Sequence, residues 1–240
     1  WKLGEHRLIC GDCTDKAVVE RVMGGERADV VFTDPPYGMN LDTSYSSNSA
    51  IMEKNWKGWQ GKKKNYAPVI GDEEDYDPSI LFSLFPEINE MFLWGADYYA
   101  ERIPNKNSGS WFVWNKTKNN ENQEQVGSKG SQFELCWSKN RHVREVVNKL
   151  WRGLMGTETQ DTRSRVHPTQ KPVELVEWFL EKFSESNDAI VDPYLGSGTT
   201  LIACERLGRK CRAVEISPAY VAVAIQRWVD VTGGTPELVN

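Results

Sequence analysis

The chain has 240 residues, 39% of them hydrophobic and 26% charged, with a formal net charge of −5. That length can bury one generous core, and no apolar run approaches the roughly 20 residues of a membrane-spanning helix, so a soluble protein with no membrane partner is expected. The negative balance argues against a uniformly basic, nucleic-acid-binding surface. Yet the sign is uneven: residues 38–165 carry 17 basic and 17 acidic side chains, while the excess acid lies in the two ends.

In chain order, residues 7–10 form a short apolar run ending at Gly11-Asp12, and a helix follows from about 15 to 23, stopped by Gly24-Gly25. Residues 28–33 (ADVVFT) read as a fully buried strand running into Asp34-Pro35-Pro36-Tyr37. Residues 38–70 are polar and turn-rich and are expected to form an inserted lid. A helix is expected around 78–85, then strands at 90–94, 110–114 and 132–137. Much of 115–165 is again polar and reads as a second insertion. Pro172 opens a helix whose apolar residues Val173, Val176, Phe179, Leu180 and Phe183 share one face. Residues 189–191 form a strand into Asp192-Pro-Tyr-Leu-Gly-Ser-Gly-Thr-Thr, a helix runs to Leu207, and residues 210–216 form the next strand. Ser217-Pro218 supplies an N-cap and first-turn proline for a last helix ending near Gly233. Alternating strands and helices predict a parallel sheet covered on both faces, in a single domain spanning 1–240. Only one helix follows the Glu215 strand, so the strand that should come next is sought at residues 7–10, with Asp12 at its tip.

The opening segment WKLGEHRLICGDCTD is charged and mixed from its second residue and lacks a signal-peptide pattern. Its start on Trp1 leads us to expect residues lost ahead of it. The five cysteines include one close pair, Cys10 and Cys13, without two further ligands for zinc. Reduced thiols in a cytoplasmic protein without a bound metal are expected.

Gly196-Ser-Gly198 joins a buried strand to a helix, where backbone can approach a ligand at the helix N-terminus. Glu215 ends the following strand, the place from which a carboxylate accepts hydrogen bonds from ribose hydroxyls. Together they suggest a nucleoside-containing cofactor. A nicotinamide enzyme would want a third glycine where Leu201 stands. In Asp34-Pro35-Pro36-Tyr37, prolines fix the turn and leave its carbonyls free to accept. The Asp34 carboxylate and Pro35 carbonyl could grip both N–H bonds of an exocyclic amino group, favouring its pyramidal, nucleophilic form, while Tyr37 offers a stacking face for the base.

TDPPYG at 33–38, HPTQKP at 167–172 and DPYLGSGTT at 192–200 resemble the three signatures of the S-adenosylmethionine-dependent amino-DNA methyltransferases. Their order resembles the circularly permuted beta class, and the similarity covers nearly the whole chain. The resemblance implies a doubly wound, mostly parallel seven-stranded α/β sheet, a Rossmann-like methyltransferase fold. It also implies methyl transfer from S-adenosylmethionine to a flipped-out base in DNA. In this family the Asp-Pro-Pro-Tyr form usually accompanies N6 of adenine and a serine in its first position N4 of cytosine. Cytosine N4 chemistry and a non-catalytic DNA- or cofactor-binding relative are the alternatives. By position, Asp34, Pro35, Pro36 and Tyr37 would be catalytic. Asp192, Tyr194, Gly196, Gly198, Thr199 and Thr200 would hold the methionine end of the cofactor, and Lys171 would lie near its carboxylate. Glu215 would take the ribose, Ile216 would wall the adenine, Asp12 would receive its amino group and Cys13 would border it. His167 reads as structural.

Phosphate contacts are expected from Lys54, Lys57, Lys62, Lys63 and Lys64, in a stretch with no acid among them, and from Lys139, Arg141, Arg144 and Arg152. The expected partner is DNA, with residues 115–165 the candidate for base recognition, and the protein is expected to be a monomer or homodimer.

Overall fold

In the computed structural model, residues 1–38, 40, 69–116, 131–149 and 170–239 are described. The centre of the sheet is built from strands too apolar to face water on either side. β3 (Val30–Thr33), β4 (Glu90–Trp94) and β8 (Ala189–Asp192) are buried at every position, as strands covered on both faces require. Around them lie β1 (Lys2–Leu3), β2 (His6–Cys10), β5 (Ser110–Asn115), β6 (Phe133–Ser138), β7 (Val146–Asn148) and β9 (Lys210–Glu215). Their order across the sheet is β1-β2-β9-β8-β3-β4-β6-β5-β7. Pairing is parallel from β2 through β4 and again between β5 and β7; β6 runs antiparallel to both of its neighbours, and β1 to β2.

Among the described residues the sheet therefore has nine strands rather than the expected seven. The two additions are short rims, β1 and β7, which pair only at the sheet's edges and have too few residues to show a period in the sequence. The strand at the N-terminal end lies where it was sought, with Cys10 in register with Glu215. Within 115–165, residues 133–138 are an interior strand of the sheet.

Alternation along the strands sorts side chains to two cores. Val30, Phe32, Phe92 and Trp94 face one, with α3 (Val173–Phe183), α4 (Thr199–Leu207) and α5 (Pro218–Thr232). Val31, Met91 and Leu93 face the other, with α1 (Lys16–Met23) and α2 (Ser79–Leu84). The first core is an aromatic lattice. Phe179 of α3 meets Phe92 at 5.1 Å, Phe112 at 5.3 Å and Trp94 at 5.5 Å between ring centroids, all edge-to-face, the arrangement the ring quadrupole favours. Trp94, Trp114 and Trp137 are fully buried, so these tryptophans serve packing.

α1 starts at Asp15, whose carboxylate accepts from the Ala17 N–H at 2.9 Å. Ser217 occupies the N-cap position of α5, but its side chain makes no capping bond. Its own N–H instead donates to Glu215 Oε1 at 2.8 Å. α4 begins from Gly198, at φ +89°, where an added Cβ would lie 2.9 Å from Ala224 Cβ in α5. Gly198→Ala should thus cost about 1–3 kcal/mol through strain and forced separation of two helices, measurable as a lowered denaturation midpoint.

Candidate active site

Strands that run parallel end together. The carboxyl ends of β2, β9, β8, β3 and β4 open on one edge of the sheet, over a cleft of about 770 Å³. One side of it is formed by Asp34, Pro35, Pro36 and Tyr37, leaving β3. The other is formed by Tyr194 and Gly196 after β8, Glu215 and Ile216 at the end of β9, and Asp12 and Cys13 after β2. Two segments some 160 positions apart in the chain therefore share one cavity. Thr199, Thr200 and Lys171 lie behind Asp192 on a small adjoining cavity that also touches Asp34 and Gly196. Gly198 borders neither cavity and serves the packing of α4 on α5.

Asp34 is held by charge. Lys171, just ahead of α3, is only 7% exposed and donates to Asp34 Oδ2, and its Nζ lies 3.3 Å from Glu134 Oε2 on β6. Glu134 also accepts from Lys116, at the end of β5. Beneath the ammonium, the Trp94 ring centroid is 5.2 Å from Nζ. Four segments thus contribute two acids and two bases to one chain, buried at Lys171 and half-buried at its other members. Burial opposes charge on Lys171, but Asp34 and Glu134 outweigh it and hold its pKa above the ordinary value. Burial likewise pushes the Asp34 carboxyl up against the opposing pull of Lys171. Glu134 is held low because its two lysines outweigh its burial. With Oδ2 taken, Asp34 Oδ1 is buried and without a partner among the described residues. Such an acceptor is costly to leave unmatched, and it stands beside the cleft. The Lys171 ammonium, expected near a cofactor carboxylate, is bound to protein carboxylates.

The facing wall is shaped for a polar, nucleoside-like molecule. Glu215 Oε2 accepts from the Gly196 N–H at 2.7 Å and Oε1 from the Ser217 N–H at 2.8 Å. The carboxylate is fixed between the glycine turn and the start of α5, and burial, opposed by these N–H groups, raises its pKa. Asp12 Oδ1 accepts from the backbone and hydroxyl of Thr14 at 2.8 and 2.7 Å. Burial pushes the Cys13 thiol up to about 11, so it is neutral and a plain wall. Asp192 is 4% exposed. Its Oδ1 accepts from the Thr33 hydroxyl at 2.7 Å and the Tyr194 N–H at 3.2 Å. Burial, resisted by hydrogen bonds from Thr200 and Thr33, pushes its carboxyl up to about 6. Anchored carboxylates at two strand ends flanking a glycine turn fit a molecule bearing ribose hydroxyls and an ammonium group.

Residues 59–226 match the model of the N6/N4 methyltransferase family described as DNA methylase. The chain belongs to this DNA methylase family. The methylase is 24% identical over 232 residues to the Type II methyltransferase M2.LlaDCHI of Lactococcus lactis subsp. cremoris, covering 84% of this chain and 82% of that one. Its fold is similar to that of TTHA0409 from Thermus thermophilus in complex with S-adenosyl-L-methionine (TM-score 0.51, 19% identity, 96% of each chain). It is similar also to PvuII DNA methyltransferase, described as cytosine-N4-specific (TM-score 0.51, 16% identity, 96% of this chain and 95% of that one). No helix among the described residues is long and apolar enough to cross a membrane, and all five cysteines are free.

Lys54, Lys57, Lys62, Lys63, Lys64, Arg152 and His167 lie outside the described residues. Arg141 and Arg144 are exposed at the opposite end of the sheet, because β6 runs away from the cleft and β7 starts from that far end. Lys139 there donates to the Ile88 carbonyl at 2.6 Å. Three residues at the cleft were missed in the sequence: Glu134, Lys116 and Tyr98. A lone acid in the apolar run of β6 (FELCWS) was the available signal for Glu134. Tyr98 stacks on Tyr37, with ring centroids 4.9 Å apart and planes at 14°. Tyr37 also packs against Gly95, at φ +63°, where an added Cβ would fall 2.4 Å from the ring.

The raised Asp192 carboxyl gives stability a defined pH dependence. A group whose native pKa lies above its unfolded value contributes fully below the unfolded pKa and loses that contribution as pH rises through the native one. The melting-temperature advantage of the wild type over Asp192→Asn should therefore shrink between about pH 4 and about pH 6. A difference that stays flat across that window contradicts the assignment.

Proposed function

We propose that this DNA methylase transfers the methyl group of S-adenosylmethionine to the exocyclic N6 of an adenine flipped out of duplex DNA. The observation that carries the reading is the unpartnered Asp34 Oδ1, beside the same cleft as the Gly196 turn and Glu215. Bound there, S-adenosylmethionine supplies an electrophilic methyl group on a sulfonium. Glu215 is set to take the ribose hydroxyls, and Asp12 the adenine amino group with its second oxygen. Cys13 and Ile216 would border the ring. Asp192, with Thr199, Thr200 and Tyr194 around it, is set for the amino-acid end.

For the target base, Asp34 Oδ1 and the Pro35 carbonyl are two acceptors for the two amino hydrogens. No backbone N–H among the described residues takes the Pro35 carbonyl. Gripping both N–H bonds withdraws the nitrogen lone pair from the ring and aims it at the facing wall. Lys171 keeps Oδ2 occupied, so Asp34 is set to orient the amino group through Oδ1 rather than to be consumed as a base. After transfer the nitrogen releases one proton to water. Tyr37 would carry the base on its face. The identity of residue 34, aspartate rather than serine, inclines the reading to adenine N6. We read the order of the two walls along the chain as a circular permutation, and M2.LlaDCHI as a pointer to modification within a type II system.

The test is methylation of mixed-sequence duplex DNA with methyl-labelled cofactor, followed by hydrolysis to nucleosides. Label is expected in N6-methyladenine nucleoside; label in N4-methylcytosine would replace adenine by cytosine while keeping the methylase chemistry. Asp34→Ala should lower turnover by at least about 100-fold with cofactor binding retained. For DNA contact, charge reversal at Lys62, Lys63 and Lys64 should weaken binding and flatten its salt dependence; unchanged affinity and slope would remove this stretch from the interface.

A further inference from the structure

Tyr37 is the platform on which the proposed base would lie, and its face already has an occupant. Tyr98 stacks on it at 4.9 Å between centroids and within 14° of parallel. A planar base touching both rings needs about 7 Å between them, two contacts of about 3.5 Å each. The base and Tyr98 therefore cannot both have that face as the rings stand.

The two tyrosines are not equally free to move. Tyr37 is packed against Gly95, with no room for even a methyl group between them. Tyr98 sits on the turn leaving β4, closed by its N–H donating to the Gly95 carbonyl at 3.0 Å. The next residue, Tyr99, is buried and donates its hydroxyl to the Trp94 carbonyl at 2.8 Å. The backbone of the turn is therefore anchored, while Tyr98 as a residue is 59% exposed. Both rings line the cleft. A tyrosine pair with one exposed member is held more weakly than a base on an aromatic platform, so exchange of Tyr98 for a base runs in the base's favour.

We propose that Tyr98 covers the base-stacking face of Tyr37 in the DNA-free protein and yields it to the incoming target base. It is a positioning residue that sets the threshold for base capture. This rests on the reading of Tyr37 as the base platform. It also gives Tyr98 a role in the resting protein, where it shields an apolar ring face that would otherwise meet water.

The experiment is steady-state kinetics on mixed-sequence duplex DNA with saturating methyl-labelled S-adenosylmethionine. Tyr98→Ala removes the competitor and should lower KM for DNA by about 2- to 10-fold with kcat little changed. Tyr98→Trp enlarges the competing ring and should raise KM. Tyr37→Ala should raise KM, and in that background Tyr98→Ala should have no further effect. A KM that is unchanged or raised by Tyr98→Ala, with Tyr37→Ala still raising it, overturns the role of Tyr98 alone. An unchanged KM in Tyr37→Ala overturns the platform reading and this proposal with it.

Discussion

A carboxylate delivered by a fully buried strand into a partly closed cleft must be compensated, because an unpaired charge there is expelled or neutralised. Asp34 meets this requirement through Lys171, Lys171 in turn through Glu134, and Glu134 through Lys116. The chain of alternating charge ties the end of β3, the end of β5, the start of β6 and the entrance to α3 into one rigid corner. Everything proposed for the acceptor side of the reaction depends on it. The pair points one Asp34 oxygen at lysine and leaves the other for a donor from outside. Replacing either partner by an apolar residue would strand the remaining charge, which is costlier than the pair itself is stabilising.

The opposite wall obeys a different economy. Among the described residues, Glu215 and Asp192 have no cation as a direct hydrogen-bond partner; they are stabilised by N–H and O–H donors from the backbone turns and from Thr33. These donors orient the carboxylates without cancelling their charge, which suits a wall that would receive a positively charged molecule. The acidic excess at both ends of the chain has a local counterpart here, since Asp12, Asp192 and Glu215 all come from those ends.

Much of this was legible in the sequence, for reasons that differ from residue to residue. The strands 30–33 and 90–94 declared themselves by apolar runs that no amphipathic helix would carry, whereas 210–215 (KCRAVE) was readable from its place between the Gly208 helix stop and the Ser217-Pro218 helix start. The glycine turn and Glu215 were readable because strand-turn-helix units bring a loop and the next strand's end together as neighbours. The convergence of 34–37 with 194–196 was legible only through motif resemblance, since nothing local states which strands will be adjacent. The ion chain escaped notice because its members lie on four elements distant in sequence, and an isolated Glu or Lys in a strand gives no hint of its partner. The rim strands escaped for want of length, and the arginines at 141 and 144 were misleading because charge alone does not say which end of a strand it follows. Tyr98 was hidden for a related reason: stacking depends on where a turn aims a ring.

β3 and β8 are hydrogen-bonded neighbours, with Val31 opposite Val191, and the Thr33 hydroxyl bridges to Asp192 across the gap between their ends. The residue that would hold the acceptor and the residue that would hold the donor therefore protrude from adjacent rungs of one ladder. The strands that carry them are one step of the pleated sheet apart, about 4.8 Å. The spacing of these two strand ends is thus inherited from backbone geometry. A chain built this way can exchange its peripheral loops freely during divergence and keep its chemistry in register.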